Sequence, residues 1–334
     1  MTEEDLWFLP GPDPEEKADP FAPPLPPRAP RQPLFQPADW RAAEAALAQP
    51  LAALSCDLGR LIERAEGFGP QAGARLAQAE AAALTWWTGA RIAADRIALW
   101  QALRIGASGA DGAALIHAAW AARRLAAPRD TGQGAGAGSA IAAHLGQKAG
   151  AWSGLTDEFA ALLPDPAELG PVARGCLAFH LWRALDERPL PQRDIEAAVL
   201  GARLALAHDG PGLGFLPLAL ASTGPLRAAG PSEQLLSAWI LGAHDAVLSA
   251  LLALERLRRW RIRAEAGTAD LSGRTPRLLI EGLLHHPMTA VPQLVTETGA
   301  SRPALERNLA IFEARGLARE VTGQSRYKVW AARY

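Results

Sequence analysis

From Asp39 onward the apolar residues recur at three- and four-residue intervals, as in Leu47, Leu51, Leu54, Leu58 and Leu61, the spacing of one buried face of an α-helix. Asp39 stands where its carboxylate can cap the first helix, and Gly67 to Pro70 breaks the pattern before a second run from Gln71. That run continues through LTWWTGARIAADRIALW with an interruption at Gly89, and Trp86, Trp87 and Trp100 read as core residues. A second helical block begins near Ile141, with helices expected near Thr156 to Leu163, Glu168 to Asp186, Gln192 to Ala207 and Ser232 to Arg263. Pro164, Pro166 and Pro189 mark loops, and a longer loop covers Asp209 to Pro231. The last of these helices carries Leu235, Leu236, Trp239, Leu248, Leu251, Leu252 and Leu254 along one side, and the arginines of its ERLRRWRIR ending complement a helix C-terminus.

After Ser272 the pattern shortens. Arg274 to His285 is amphipathic through Leu278, Leu279, Leu283 and Leu284, and Pro287 stops it. Thr289 can cap a second helix running through Val291, Leu294 and Val295 to Thr298, and Gly299 suits a left-handed turn. Ser301 caps a third helix with Pro303 in its first turn and Leu305, Leu309 and Phe312 facing inward. The spacing Val295, Gly299, Leu305 lets two helices cross closely. LAREVT and RYKVWAA then alternate apolar and polar residues on either side of Gly323-Gln324-Ser325, which predicts a β-hairpin. The expected fold class is an all-α body with a C-terminal winged helix-turn-helix over residues 272–334.

Two segments lack helical periodicity. Residues 1–38 hold eleven of the 27 prolines, so DPFAPPLPPRAPR should be an extended arm that lies on its own domain through Trp7, Phe8 and Phe35, or that offers a proline-rich ligand to a protein partner. DTGQGAGAGS marks a glycine-rich linker over 129–140 between helical blocks 39–128 and 141–266; it lacks the Gly-Lys-Ser/Thr and preceding strand of a phosphate-binding loop.

Charge sharpens the reading of the C-terminal segment. The chain's formal net charge is −1, yet residues 272–334 carry nine Lys/Arg against five Glu, a balance of +4. With the core positions removed, the third helix presents Ser301, Arg302, Ala304, Arg307, Asn308 and Arg315. Arginine can read guanine and asparagine adenine in a major groove, Ser301 and the helix N-terminus can hold a phosphate, and Arg326 and Lys328 can reach flanking backbone. The candidate DNA-binding set is therefore Ser301, Arg302, Arg307, Asn308, Arg315, Arg326 and Lys328, with double-stranded DNA as partner and transcriptional regulation as role. Winged helices also dock proteins, so an interaction adaptor is the alternative, and residual or unrecognised enzyme activity in the helical body is a third reading. Two DNA half-sites would need a homodimer, for which the helix between Trp239 and Trp260 offers one interface unless it is buried in the core.

The ending LAREVTGQSRYKVWAA, with LTWWTGARIAADRIALW and GPVARGCLAFHLWRALDERPLPQRDIEAAVLGARLALAHDG, resembles a plasmid-borne, rhizobial-type helix-turn-helix family of unknown function whose body is distantly similar to Fic proteins. Fic enzymes transfer a nucleotide monophosphate to a hydroxyl with His-Pro-Phe, two residues, Gly-Asn-Gly-Arg, two residues, Arg. On that motif, Arg188 replaces the catalytic histidine and cannot act as a general base near neutral pH, while Pro189 and Leu190 keep only the shape. Arg193, Asp194, Ile195 and Glu196 replace Gly-Asn-Gly-Arg, and Val199 the last arginine. Thr88-Gly89 stands where an inhibitory Glu-Gly would lie. The resemblance thus implies a non-catalytic scaffold, a pseudoenzyme with no cofactor.

No complete catalytic set stands elsewhere in the sequence. Cys176 and His180, four apart on a helix, lack a third ligand; His208-Asp209 and His244-Asp245 read as packing or capping pairs, and His285-His286 as a helix end. No serine nucleophile elbow or HExxH occurs. Two distant cysteines, an acidic start without a signal-peptide pattern and no long uncharged apolar run point to the cytoplasm and against a membrane span.

Overall fold

The computed structural model describes residues 35–103, 112–127, 137–146, 153–188, 191–207, 210, 212–323 and 328–334. The proline arm up to Leu34, most of the glycine-rich stretch, His208-Asp209, Pro189-Leu190 and the hairpin tip with Arg326 lie outside them. Among the described residues the chain is predominantly helical, with 13 α-helices and three short strands. The body comprises α1 (Pro37–Ala46), α2 (Ala48–Phe68), α3 (Pro70–Trp87), α4 (Ala94–Leu103), α5 (Gly112–Ala126), α6 (Ala137–Leu145), α7 (Ser153–Leu162), α8 (Pro171–Leu185), α9 (Gln192–Leu204) and α10 (Ser232–Ala266). The C-terminal segment runs α11 (Thr275–His285), β1 (Thr289–Ala290), α12 (Val291–Thr298), α13 (Arg302–Ala314), β2 (Ala318–Glu320) and β3 (Val329–Ala332).

Helix breaks fall where glycine and proline require them. Gly69, at φ 79°, separates α2 from α3, which begins on Pro70. The chain enters α1 at Pro37, so Asp39 lies in the first turn rather than at the cap, which is Gln36. Gly138 and Ser139, expected in a linker, belong to α6, where Gly138 lies close against Asp157.

The two helical blocks share one core. Residues Phe35–Tyr334 form a single compact unit, with α3 on α5, α8 on α9, and α2 and α1 on α10. The crossing of α8 over α9 depends on glycine: a Cβ at Gly175 would lie 2.5 Å from the Gly201 carbonyl oxygen. Trp40, Trp182, Trp239 and Trp260 are buried with Phe159 and Phe179. Trp86 departs from the core expectation: at the end of α3 it is 56% exposed, its ring beneath the Arg91 guanidinium at 5.7 Å. By length and apolar composition α10 alone among the described helices is able to cross a membrane, but its Trp239, Ala243, Val247, Leu254 and Trp260 are buried in the body.

Arginines from the body and the C-terminal segment join the two. Arg75 on α3, half-buried, donates to the carbonyls of Leu283, Leu284 and His286 at the end of α11 and to the Tyr334 hydroxyl. Burial lowers its pKa, and no carboxylate faces it among these partners; the oriented carbonyls of the helix terminus supply the negative end instead. Trp260 donates its indole N–H to the Leu317 carbonyl at 2.8 Å, and Arg263 donates to the Arg333 carbonyl. Ala98 and Leu99 of α4 pack on Met288, Val329 and Ala331.

Candidate nucleic-acid interface

The site begins with α12 and α13. Gly299 takes φ 64° at the end of α12, the left-handed conformation expected there, and Thr298 steadies the turn by accepting from the Ala300 amide. The chain then enters α13 at Ser301, which occupies the N-cap position in extended geometry, although its side chain makes no capping bond. Pro303 lies in the first turn, and Leu305, Leu309 and Phe312 are fully buried. Beneath these helices, Gly282 of α11 brings α12 close, because a Cβ there would meet Leu294 at 2.5 Å.

One element differs from expectation. Thr289 does not cap α12; it lies buried in β1, whose two residues pair antiparallel with β3 as Thr289–Trp330 and Ala290–Val329. The N-cap is Ala290. The two residues of β1 are too few to show an alternation from which a strand is read. The strands form a three-stranded sheet in the order β1-β3-β2, with Ala318 opposite Ala332 and Glu320 opposite Trp330. The Glu320 carboxylate accepts from the amides of Thr322 and Gly323 at 2.7 and 2.8 Å, which fixes the exit of the turn.

The candidate side chains separate into groups. Ser301 at the N-cap and Arg302 and Arg307 on α13 are exposed, and Lys328 is exposed just before β3. Arg302 reaches Glu306 one turn on at 2.8 Å, whereas Arg307 has no partner among the described residues. Helical spacing places Arg307 between Pro303, Ala310 and Ala314, all exposed and small enough to admit close approach to a groove. Asn308 is half-buried and donates to the Ala304 carbonyl at 2.8 Å. Arg315 points elsewhere: it grips Asp270 with both nitrogens, at 2.5 and 2.8 Å, and donates to the Gly267 carbonyl, tying the end of α13 to the end of α10. Arg326 lies outside the described residues. Arg319, exposed on β2, is an additional cation on the sheet that alternation along the hairpin could have picked out.

The remaining titratable clusters are structural. Arg188 bridges Asp186, at 2.5 Å, and Glu196 across the loop between α8 and α9, with both carboxylates buried. Beside it Arg183 pairs with Asp194 at 2.8 Å and stacks on Trp87 and Phe179. Arg183 and Asp194 border a cleft of about 470 Å³ that Trp87, Thr88 and Arg227 also line. Burial drives the Cys176 thiol well up and lowers His180 to about 4, so neither is set up as a thiolate or a charged imidazole at neutral pH. His244 bonds Asp57 on α2 at 2.9 Å rather than Asp245, and His286 bonds Glu297 at 2.9 Å. No group of three or more His, Cys, Asp or Glu suited to a metal ion occurs among the described residues.

No protein-family model matches the chain, and no curated protein matches it.

Proposed function

We propose that residues 272–334 form a winged helix-turn-helix that binds double-stranded DNA, and that the chain is a cytoplasmic transcriptional regulator. The observation that carries this reading is α13 itself: it follows a left-handed glycine turn, buries one side against α11 and α12, and leaves Ser301, Arg302 and Arg307 in solvent beside a hairpin with Arg319 and Lys328. In this arrangement α13 enters the major groove, Arg307 reads a base edge, and Arg302, Arg319 and Lys328 meet phosphates. The Arg302–Glu306 pair is exposed and weak, so a phosphate displaces the carboxylate at small cost.

The body is, in this reading, a Fic-like scaffold without catalysis. Support comes from the loop between α8 and α9, where Arg188, in place of the histidine, is held between two carboxylates. Asp194 and Glu196 in the place of an anion-binding nest oppose a polyphosphate.

A protein-docking role has one observation in its favour: on the exposed part of α13, Arg302 and Arg307 are matched by Glu306 and Glu313. A fluorescence-anisotropy titration on random and native upstream duplexes, beside the Arg302→Ala/Arg307→Ala variant, decides between the two. DNA binding predicts micromolar or tighter affinity that falls by roughly tenfold or more in the variant. Absence of binding at micromolar protein and low salt contradicts it and favours the adaptor.

A further inference from the structure

Helix α10 buries Trp239, Val247 and Leu254 in the body, and its opposite face is apolar as well. Leu248 and Leu252, expected on the side of Trp239, instead stand with Leu241 on that outer face, 39%, 62% and 61% exposed, and Ile262, 50% exposed, lies farther along toward one edge. At 100° per residue the three leucines fall within about 40° of one another, a continuous stripe rather than scattered surface residues. Past Leu252 the same face carries Arg259, paired with Glu255 at 2.9 Å, and the charges beside the leucines are unevenly placed. Asp245 lies toward the stripe's N-terminal end and Arg256 toward its C-terminal end, on the same edge, and neither has a partner among the described residues. Near the start of α10 a shallow groove of about 480 Å³ is lined by Leu47, Ser237, Ala238 and Leu241.

We propose that this face of α10 binds a second copy of the chain, with the two α10 helices antiparallel about a two-fold axis at the level of Ala250. The charge pattern selects this occupant because it is complementary to itself when reversed. Asp245 meets the partner's Arg256, and Leu248 meets the partner's Leu252. Each pairing has its midpoint at Ala250 or between it and Leu251. A two-fold axis perpendicular to antiparallel helices keeps each edge facing its own copy, so the Asp245 and Arg256 edge closes on itself. An isologous interface requires this self-complementarity, whereas a surface for an unrelated partner does not. The inference stands independently of DNA binding, and if DNA is bound the same two-fold axis would relate two half-sites.

Sedimentation velocity of the full chain without DNA, from about 1 to about 100 µM, tests it in the range expected for a modest homodimer. The wild type is expected to dimerise, and Leu248→Arg/Leu252→Arg to remain monomeric with an unchanged circular dichroism spectrum. Asp245→Arg should weaken the dimer about tenfold by placing like charges together, and Asp245→Arg/Arg256→Asp should restore it. Because all these positions are exposed, the charge-swapped protein also controls for folding. A wild type monomeric at about 100 µM overturns the proposal and leaves the face to a different protein. A dimer indifferent to the leucine variant, or not restored by the charge swap, overturns it equally.

Discussion

The helical body and the C-terminal segment use the same residue, arginine, in opposite ways. In the body, Arg75, Arg183, Arg188 and Arg203 turn inward onto carbonyls, carboxylates or aromatic faces. On α13 and the hairpin, Arg302, Arg307, Arg319 and Lys328 remain at the surface, and among the described residues only Arg302 of these has an ion pair. With only three lysines in the chain, arginine supplies both the internal struts and the surface charge, so a count of basic residues overstates the charge turned outward. Arg315 illustrates the point: it contributes to the +4 balance of residues 272–334, yet Asp270 occupies its guanidinium. What distinguishes the two regions is where the cation is aimed.

The largest effect should come from removing an inward arginine. Arg188→Ala leaves Asp186 and Glu196 buried without their counter-ion and should cost about 3 kcal/mol in urea unfolding; a loss under about 1 kcal/mol would mean that water replaces the guanidinium freely. Arg75→Met should follow at about 2–3 kcal/mol, with faster amide exchange in α11 and the last strand, since the carbonyls of Leu283, Leu284 and His286 lose their donor. Unchanged exchange would show that the C-terminal segment holds its place without this contact.

Glu80 sharpens the contrast through pH. Buried on α3, it accepts from the amides of Leu218 and Ala219, and burial raises its pKa from 4.5 to about 7. The fold favours the protonated acid, so this contribution to stability is complete below about 4.5 and is lost as pH rises through about 7. Glu80→Gln should remove that slope and be the more stable protein at pH 8 by about 2 kcal/mol. Parallel pH profiles of the two proteins would contradict the assignment. At the other extreme, Arg302→Ala should change unfolding free energy by less than about 0.5 kcal/mol, because its pair with Glu306 is exposed.

Much of this arrangement is legible in the sequence where the signal is local. The periodic leucines of α2, the break at Gly69, the turn at Gly299 and the inward Leu305, Leu309 and Phe312 all follow from spacing and residue type. What escapes is set by partners far along the chain. Nothing near Arg75 announces that its acceptors lie more than 200 residues away, and nothing near Arg315 points to Asp270. The strand β1 is too short to alternate, and Trp86 is exposed because α3 ends one residue later. The separation into two helical blocks is likewise absent in space, since α5 packs on both α3 and α9.

The central claim is that the outward cations serve a polyanion, and the salt dependence of DNA affinity tests it most directly. With Arg302, Arg307, Arg319 and Lys328 engaged, two or three on phosphate, log Kobs should fall against log salt with a slope of about −2 to −3. The Arg302→Ala/Arg307→Ala variant should lower the magnitude of that slope by about one or more. An affinity indifferent to salt, or a slope the variant leaves unchanged, would contradict the account and place the chain's partner elsewhere.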